Sequence, residues 1–159
     1  MTELIKEQIG QITPGSRQYF VADGTWSLFE LIEYIISQIG PSHMHLTSFS
    51  ISEDSIRSLL HLKQTGAIKT LEGLFDHSLR KTKSPLLYFA DEVFDNMGII
   101  ANHSKIVLFH SHKYQVSLLA SANLGRNRRL EAGVIETDPL VYQFFLNAFT
   151  QACDQAQPV

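Results

Sequence analysis

Hydrophobic residues in the first part of the chain predict an alternation of strands and helices. Residues 1 to 13 have the pattern of a short amphipathic helix that stops at Pro14. Residues 17 to 22 are aromatic and β-branched and predict a buried strand. A helical spacing follows, with Thr25 as its predicted N-terminal cap and Gly40 at its end. Its apolar positions are Leu28, Leu31, Ile32, Ile35, Ile36 and Ile39.

The following stretch repeats the same order of elements. It predicts a strand at 44 to 51, a helix from Ser52 to near Gly66, a strand at 67 to 76, and a helix at 84 to 96 with Pro85 at its first position. Strands that alternate with helices at this pitch are typical of βαβ units. The pattern therefore predicts an α/β fold.

From residue 99 onward strands no longer alternate with helices. Three strand candidates at 99 to 109, 114 to 123 and 128 to 137 follow one another without a helix between them, which predicts an antiparallel part of the same sheet. The chain then predicts an amphipathic helix over residues 138 to 156, with Asp138 as its cap and Pro139 at its first position. Its predicted apolar side consists of Val141, Phe144, Phe145, Ala148 and Phe149.

The length and composition suit one domain over residues 1 to 159. A chain of 159 residues with 44% hydrophobic residues is long enough to bury one substantial core. Charged residues make up 18%, below the roughly 25% usual in soluble domains. This low charge content mildly favours an oligomer, because a subunit interface would hide part of the surface.

Charge, cysteine and hydropathy patterns exclude several classes of protein. A net charge of −3 disfavours a basic nucleic-acid coat, so any anion site must be local. Cys153 is the only cysteine, which rules out an intrachain disulfide framework. No long apolar run and no signal-peptide pattern occur, so we expect a cytoplasmic protein without a membrane partner.

Two pairs of polar residues flank the apolar run that begins the antiparallel part. His103 and Lys105 share one face of a strand, as do Ser121 and Asn123 if their strand continues. A hairpin turning about His112 would place His103 opposite Ser121 and Lys105 opposite Leu119. The imidazole, ammonium, hydroxyl and amide would then form a patch suited to a tetrahedral oxyanion. A solvated strand end is the alternative interpretation of the same residues.

The spacing of these residues resembles the signature of the phospholipase D superfamily. That signature has His-x-Lys, four residues, Asp, a variable gap and then Gly-Ser-x-Asn. The matching positions here are His103, Lys105, Ser121 and Asn123, and Asn127 and Glu131 follow as they do in that family. This chain departs from the signature at two positions, where His110 replaces the Asp and Ala120 replaces the first Gly.

The resemblance implies a fold and an assembly. The expected fold is a single-domain phospholipase D-like αβα sandwich with a mixed parallel and antiparallel sheet, whose core spans about residues 17 to 150. The small single-motif members of this family are endonucleases that act as homodimers. One motif supplies one histidine, so a shared site would need the second His103 from a two-fold-related partner.

The resemblance also implies a function, a phosphodiesterase that cleaves nucleic acid through a phosphohistidine, without metal or cofactor. His103 would be the nucleophile, since an imidazole can act as nucleophile or as acid near neutral pH. Lys105 and Asn123 would hold phosphate oxygens, and Ser121 would add a hydroxyl bond. Glu131 is the candidate carboxylate for orienting the imidazole. Further phosphate or nucleic-acid contacts are expected from Arg126, Asn127, Arg128 and Arg129.

Two other functions stay open. The loss of the signature Asp at position 110 would suit a catalytically impaired module that only binds nucleic acid or phosphate. A phospholipid or other small phosphodiester hydrolase is the second alternative. The short chain and the lack of an amphipathic membrane helix favour the nuclease over a lipase.

Several other features have a plainer interpretation. The basic stretch at 77 to 83 suits either a solvated connection or part of a nucleic-acid track. The pairs His43/His45 and His110/His112 invite a zinc site, but no cysteine or carboxylate cluster with ligand spacing accompanies them. Trp26 has the position of a core residue.

Overall fold

A mixed sheet is the centre of the fold. The computed structural model describes residues 2 to 125 and 129 to 159. Its strands are β1 Arg17–Ala22, β2 Ser42–Ser48, β3 Ile68–Asp76, β4 Asn96–Ile100, β5 Ile106–His110, β6 Gln115–Ala120 and β7 Glu131–Glu136. They lie in the order β1-β7-β6-β5-β2-β3-β4. Strands β2, β3 and β4 are parallel, while β5, β6, β7 and β1 run antiparallel to their neighbours.

Helices cover both faces of this sheet unequally. They are α1 Thr2–Ile9, α2 Leu28–Ile39, α3 Glu53–Gln64, α4 Leu79–Thr82, α5 Ser84–Val93 and α6 Pro139–Gln155. Apolar residues of α1, α2, α3 and α5 pack with one face of the sheet in the main hydrophobic core. Helix α6 packs against β4, β5 and β6 on the opposite face, which we call the α6 face. The αβα layers predicted from the sequence are confirmed.

The predicted apolar stripe of α2 is confirmed, but its predicted cap is wrong. All six predicted apolar positions are buried. The cap is Ser27, not Thr25, because Glu30 lies three residues after Ser27 and completes a capping box. The Ser27 amide donates to the Glu30 carboxylate at 2.7 Å, and the Glu30 amide donates to the Ser27 hydroxyl at 3.3 Å. The Thr25 amide instead donates to the side chain of Asp23 in the preceding turn.

The single strand predicted over residues 99 to 109 is wrong, because two strands occupy this region. Strand β4 pairs in parallel with β3, whereas β5 pairs antiparallel with β2, so the two lie on opposite sides of the β2–β3 pair. The polar residues between them leave the sheet and form a loop over residues 101 to 105. This loop contains both His103 and Lys105.

The predicted register of the β5–β6 hairpin is also wrong, by one residue. The hydroxyl of Ser111 accepts the amides of Lys113 and Tyr114, which centres the turn between residues 112 and 113 instead of on His112. Ile106 therefore lies opposite Leu119, and the Lys105 carbonyl accepts the amide of Ala120. Because side chains alternate along a strand, this shift changes which residues share a face.

Strand β1 was predicted to be buried, but it is an edge strand. Phe20 and Ala22 enter the main core, while Tyr19 is 69% exposed on the α6 face. Tyr19 lies opposite Val134, Val134 opposite Leu119, and Leu119 opposite Ile106. These four residues form what we call the apolar row, which crosses four strands on one face. The last three are half-buried.

Helix α6 has the predicted cap, but only part of its predicted apolar side faces the sheet. The carboxylate of Asp138 accepts the amide of Leu140 at 2.8 Å. The buried side chains are Tyr142 and Phe149, which pack against histidines of the sheet, whereas Phe144 is 68% exposed. The side that meets the sheet thus agrees only in part with the predicted one: Phe149 is buried and Val141 and Phe145 are half-buried, whereas Phe144 and Ala148 are exposed.

We predict that Gly133→Ala destabilises the fold by roughly 1–3 kcal/mol, the usual range for overpacking. A methyl group there would lie too close to the carbonyl oxygen of Leu119 and the ring of Phe20. Gly125→Ala is the control, since the nearest atom to its new methyl is 3.9 Å away in Ser52. Urea unfolding would measure both, and equal stability of the two variants would contradict the prediction.

Candidate functional site

The polar residues singled out in the sequence meet at one edge of the sheet. Strands β2 and β3 are parallel, so their carboxyl ends lie at the same edge. The antiparallel pairing brings the start of β5, the end of β6 and the start of β7 to this edge as well. In α/β proteins, ligands typically bind at the carboxyl ends of such strands. We call this the site edge.

His103 and Lys105 lie side by side at the site edge. His103 is exposed and Lys105 half-buried. The Lys105 ammonium donates to the carbonyl oxygen of His103 at 2.6 Å and lies 3.1 Å from Nδ1 of its ring. An ammonium group has donors only, so Nδ1 is the acceptor in this arrangement. A neutral His103 ring would then have its proton on Nε2.

Phe49 supports both of these side chains. Its ring centroid lies 5.0 Å from that of His103, and the Lys105 ammonium is 6.0 Å from the same centroid. A cation over an aromatic face at this distance is attracted by the ring quadrupole. Phe49 follows directly after β2, where the sequence predicted one more residue of an ordinary strand. The alternation of that strand gave no signal of this contact.

Ser121 and Glu131 form a second polar contact at the site edge. The Ser121 hydroxyl donates to the carboxylate of Glu131 and accepts the amide of Ala132 at 3.0 Å. In the part of the chain that the structure describes, the Glu131 carboxylate contacts Ser121, while the ring of His103 contacts Lys105 and Phe49. The expected orientation of His103 by Glu131 thus stays a prediction.

Asn123 is held from the end of β2. The buried hydroxyl of Ser48 donates to the carbonyl of Ser50 at 2.6 Å and accepts the amide of Leu124 at 3.3 Å, and it lies 3.5 Å from the Asn123 side-chain oxygen. The amide of Ser52 donates to the Leu124 carbonyl at 2.9 Å. Asn123 also lines a small cleft together with Trp26, Arg129 and Glu131. Trp26 is buried in the main core, as predicted.

The two halves of the motif are fixed to consecutive residues of β2. Thr47 forms a 2.7 Å hydrogen bond with Ser104, which lies between His103 and Lys105, and Ser48 contacts Asn123. The side chains of Thr47 and Ser48 point to opposite faces because they are neighbours on a strand. The end of β2 therefore lies between the two halves.

The predicted basic contacts come from two separate stretches of the chain, one after β6 and one before α5. Arg126, Asn127 and Arg128 lie outside the described residues, and Arg129 is exposed beside the site edge. In the stretch at 77 to 83, Arg80 donates to the carbonyl of Pro158 and to the side chain of Gln157. Lys83 donates to the carbonyl of Ile51 at 3.2 Å. These three bonds suit a structural connection.

His110, which replaces the signature Asp, lies at the opposite end of β5. Four residues, 106 to 109, separate it from Lys105, and five steps along the strand amount to about 16 Å at the usual rise. Its ring packs against Tyr142 of α6, with centroids 5.9 Å apart. His110 is exposed, and the position of the substitution is at the end of β5 away from His103.

His43, His45 and His110 lie at that same end, near Glu72. Among residues 2 to 125 and 129 to 159, no group of three or more His, Cys, Asp or Glu residues is arranged to hold a metal ion. His43 instead contacts the hydroxyl of Thr70 at 2.8 Å, and the ring of His45 packs edge-on against Phe149.

His45 is the most enclosed of these histidines. Its Nδ1 is buried without a hydrogen-bond partner among the described atoms, and its Nε2 is 3.8 Å from the carboxylate of Glu72. Burial lowers the pKa of His45, and the nearby His43 and His110 add to this effect, while Glu72 opposes it. The folded protein therefore favours the neutral form of His45.

Comparison with solved structures identifies the fold. The chain is similar to Nuc from Salmonella typhimurium, a phospholipase D family member, with a TM-score of 0.67 and 16% identity over 89% of this chain and 96% of Nuc. It is similar to NucT from Helicobacter pylori, with a TM-score of 0.71 and 13% identity over 91% of this chain and 99% of NucT. No protein-family model and no curated protein sequence matches the chain.

A third similar structure is TrmBL2, an archaeal chromatin protein with a novel mode of DNA binding. Its TM-score is 0.60 and its identity 17%, over 99% of this chain and 59% of TrmBL2. The likenesses to Nuc and NucT show that the chain has the fold of the phospholipase D superfamily. The fold expected from the motif is therefore confirmed.

In the described ranges, 2 to 125 and 129 to 159, no helix is long and apolar enough to cross a membrane.

We predict that the free energy of unfolding decreases as the pH falls below the ordinary His value of 6.5, because the folded state lowers the pKa of His45. The unfolded chain then binds more protons than the folded one. The loss of stability begins near pH 6.5, the ordinary His value, and is complete once the pH is below the lowered pKa of His45. His45→Gln should flatten this dependence, whereas His112→Gln, at an exposed histidine of the hairpin turn, should keep it. Urea unfolding at several pH values would measure both variants, and an unchanged slope in His45→Gln would contradict the assignment.

Proposed function

We propose that this protein is a phosphodiesterase of the phospholipase D type that cleaves nucleic acid, with His103 as its nucleophile. The observation that supports this most directly is the approach of His103 and Lys105 and of Ser121 and Asn123 to one sheet edge. Both segments are tied there to the end of β2, one by the bond between Thr47 and Ser104 and the other by the Leu124 amide, which donates to Ser48. The likeness of the whole fold to Nuc and NucT adds to it.

The reaction would have two displacement steps at phosphorus. In the first, the His103 ring nitrogen forms a bond to phosphorus while the phosphorus–oxygen bond to the leaving group breaks, and a second imidazole gives that oxygen a proton. In the second, the same imidazole removes a proton from water, which attacks phosphorus and breaks the bond to His103. The phosphate product leaves and the nucleophile is restored.

Lys105 and Asn123 would stabilise charge on the phosphate oxygens during both steps, and the Ser121 hydroxyl would join them by turning from the Glu131 carboxylate to the phosphate. The Lys105 ammonium now points toward Nδ1 of His103. An arriving phosphate would compete for this ammonium, because a charged oxygen is a stronger acceptor than a ring nitrogen. Release of Nδ1 would allow that nitrogen to take the proton, so that Nε2 has a free lone pair for attack.

The second imidazole would come from His103 of a partner in a homodimer. Apolar surface near the site edge supports such an interface. The apolar row ends at Ile106, the residue after Lys105, and is open on the side of Tyr19. Tyr19 and Val21 of β1, which alternate with the core residues Phe20 and Ala22, are 69% and 52% exposed. A second copy that covers these residues would bury them and bring the two site edges together.

The two departures from the signature are compatible with an enzyme. His110 lies at the far end of β5, so its exchange for Asp leaves the charges around His103 unchanged. Ala120 lies opposite Gly133, where the backbone of β6 approaches closely. The glycine that permits this approach is therefore on β7, and the methyl group of Ala120 packs against the main core.

A non-catalytic module that binds DNA is the second candidate. The likeness to TrmBL2, a chromatin protein that binds DNA, favours it. This candidate keeps the phosphate contacts of Lys105 and Asn123 and dispenses with nucleophilic attack. Binding without cleavage would distinguish it from the enzyme.

We predict that His103→Ala lowers the rate of cleavage of single- or double-stranded DNA or RNA by roughly 10²- to 10⁴-fold, as expected for loss of a histidine that takes part in the chemistry. His112→Ala is the control, since His112 is exposed on the hairpin turn. Cleavage of labelled oligonucleotides would measure the effect. If the wild type and both variants bind the labelled strand equally and cleave nothing, the binding module is correct.

We also predict that Tyr19→Lys dissociates the dimer and lowers activity in parallel, because a buried ammonium in an apolar interface is unfavourable. Thr150→Lys places the same charge on an exposed position of α6 and should leave both properties unchanged. Sedimentation and oligonucleotide cleavage at the same protein concentration would test this. A wild-type monomer with full activity would contradict the shared site.

A further inference from the structure

Asp76 is a buried carboxylate at the end of β3, beside the loop that contains His103. It is 6% exposed. One oxygen accepts the amide of Ser78 at 2.9 Å, and the other accepts the amide of Asn102 at 3.0 Å. The ring of His77 lies 3.4 Å from this second oxygen. All three donors are suited to a charged carboxylate.

The carboxylate of Asp76 is held in its charged form. Burial by itself would raise the pKa of Asp76, but the hydrogen bonds from Ser78 and Asn102 and the nearby His77 outweigh burial and leave the pKa below its ordinary value. Asp76 is therefore an anion across the neutral pH range. A charged acceptor binds a backbone amide more strongly than a neutral one.

Capping of α4 accounts for only one of the two oxygens. The bond from the Ser78 amide lies at the start of α4 Leu79–Thr82 and explains the first oxygen. The second oxygen reaches across to another segment, 26 residues further along the chain. Asn102, which donates to it, directly precedes His103.

The side chain of Asn102 connects the bond to Asp76 with the next part of the loop, at Ser104. Its side-chain oxygen accepts both the amide of Ser104, at 3.1 Å, and the hydroxyl of Ser104, at 2.6 Å. A side-chain oxygen that bonds two residues ahead closes a tight turn in the backbone. His103 is the central residue of this turn.

Thr47 closes the network on the other side. The Ser104 hydroxyl gives its only proton to Asn102, so Thr47 is the donor in the 2.7 Å bond between the two hydroxyls. Thr47 in turn accepts the amide of Ile106 at 3.1 Å. The even-numbered residues 102, 104 and 106 are thus fixed, and the odd-numbered residues 103 and 105 are left to present their side chains at the site edge.

We infer that Asp76 is a positioning residue, which sets the place of His103 and Lys105 through Asn102 and Ser104. This inference rests on the proposed function for its effect on catalysis, but the anchoring of the loop is independent of it. Position 110 of the signature, at the far end of β5, is too distant to supply such an anchor. Asp76, from β3, supplies it instead.

The test uses Asp76→Asn, with Asp95→Asn as the control. Asp95 is also a carboxylate that accepts a backbone amide, from Leu71 at 2.7 Å, but it is exposed, pairs with Lys63 at 2.8 Å and directly precedes β4, away from the site edge. Misplaced reacting groups lower rates steeply. We expect Asp76→Asn to lower kcat for oligonucleotide cleavage roughly 10- to 100-fold with KM changed less than about twofold, and Asp95→Asn to leave kcat unchanged.

Amide hydrogen exchange gives a second readout that does not depend on activity. We expect the Asn102 and Ser104 amides to exchange faster in Asp76→Asn, while amides in the middle of β3 keep the protection of the wild type. If neither kcat nor these amides change, the inference is wrong. If the wild type cleaves nothing, the proposed function fails, and the exchange of Asn102 and Ser104 still decides whether Asp76 anchors the loop.

Asn102→Ala is the variant to use in the same measurements if Asp76→Asn does not fold. It removes the acceptor of both Ser104 bonds from a half-buried position and leaves the Asp76 carboxylate in place. Faster exchange of the Ser104 amide and a lower kcat are expected. An Asn102→Ala protein with wild-type kcat and wild-type Ser104 exchange would overturn the proposed network.

Discussion

Two neighbouring hydroxyl side chains at the end of β2 hold the site edge together. Thr47 bonds Ser104 and Ile106 on one face, while Ser48 contacts Asn123 and the amide of Leu124 on the other. Both residues are buried, so a hydroxyl without a partner there would be unfavourable by a few kcal/mol. Thr47 takes its partners from the loop with His103 and from the start of β5. Ser48 donates to the carbonyl of Ser50 at 2.6 Å and accepts the amide of Leu124, so it joins the chain after β2 to the segment with Asn123.

The place of β2 in the sheet makes this possible. It pairs in parallel with β3 on one side and antiparallel with β5 on the other, so it joins the two halves of the sheet. The end of β3 contributes Asp76, and the start of β5 follows the loop with His103 and Lys105. An anion from the parallel half thus fixes a loop that enters the antiparallel half. The polar residues of the site edge therefore lie at β2, where the parallel and antiparallel halves of the sheet adjoin. In α/β sheets, ligands typically bind at the carboxyl ends of such strands.

The two ends of the α6 face have different characters. At the end away from the site edge, Tyr142 and Phe149 of α6 pack against histidines of β5 and β2. Toward the site edge, the apolar row lies partly open, and Tyr19 is 69% exposed. Helix α6 therefore completes only part of the sheet's second face. This asymmetry concentrates apolar surface where a shared active site would need a partner.

Local patterns of the sequence determined the α/β order of elements, the buried stripe of α2, the cap of α6, and the two-residue spacing of His103 and Lys105. These depend on neighbours within one turn or one strand, where side-chain periodicity acts directly. Tertiary structure decided the division of residues 99 to 109, the register of β5 against β6, and the anchoring of His103 by Asp76 from β3. Each of these depends on a partner distant in the chain or on the exact centre of a turn. An apolar or polar period cannot specify such a partner, because many registers satisfy the same alternation until packing selects one.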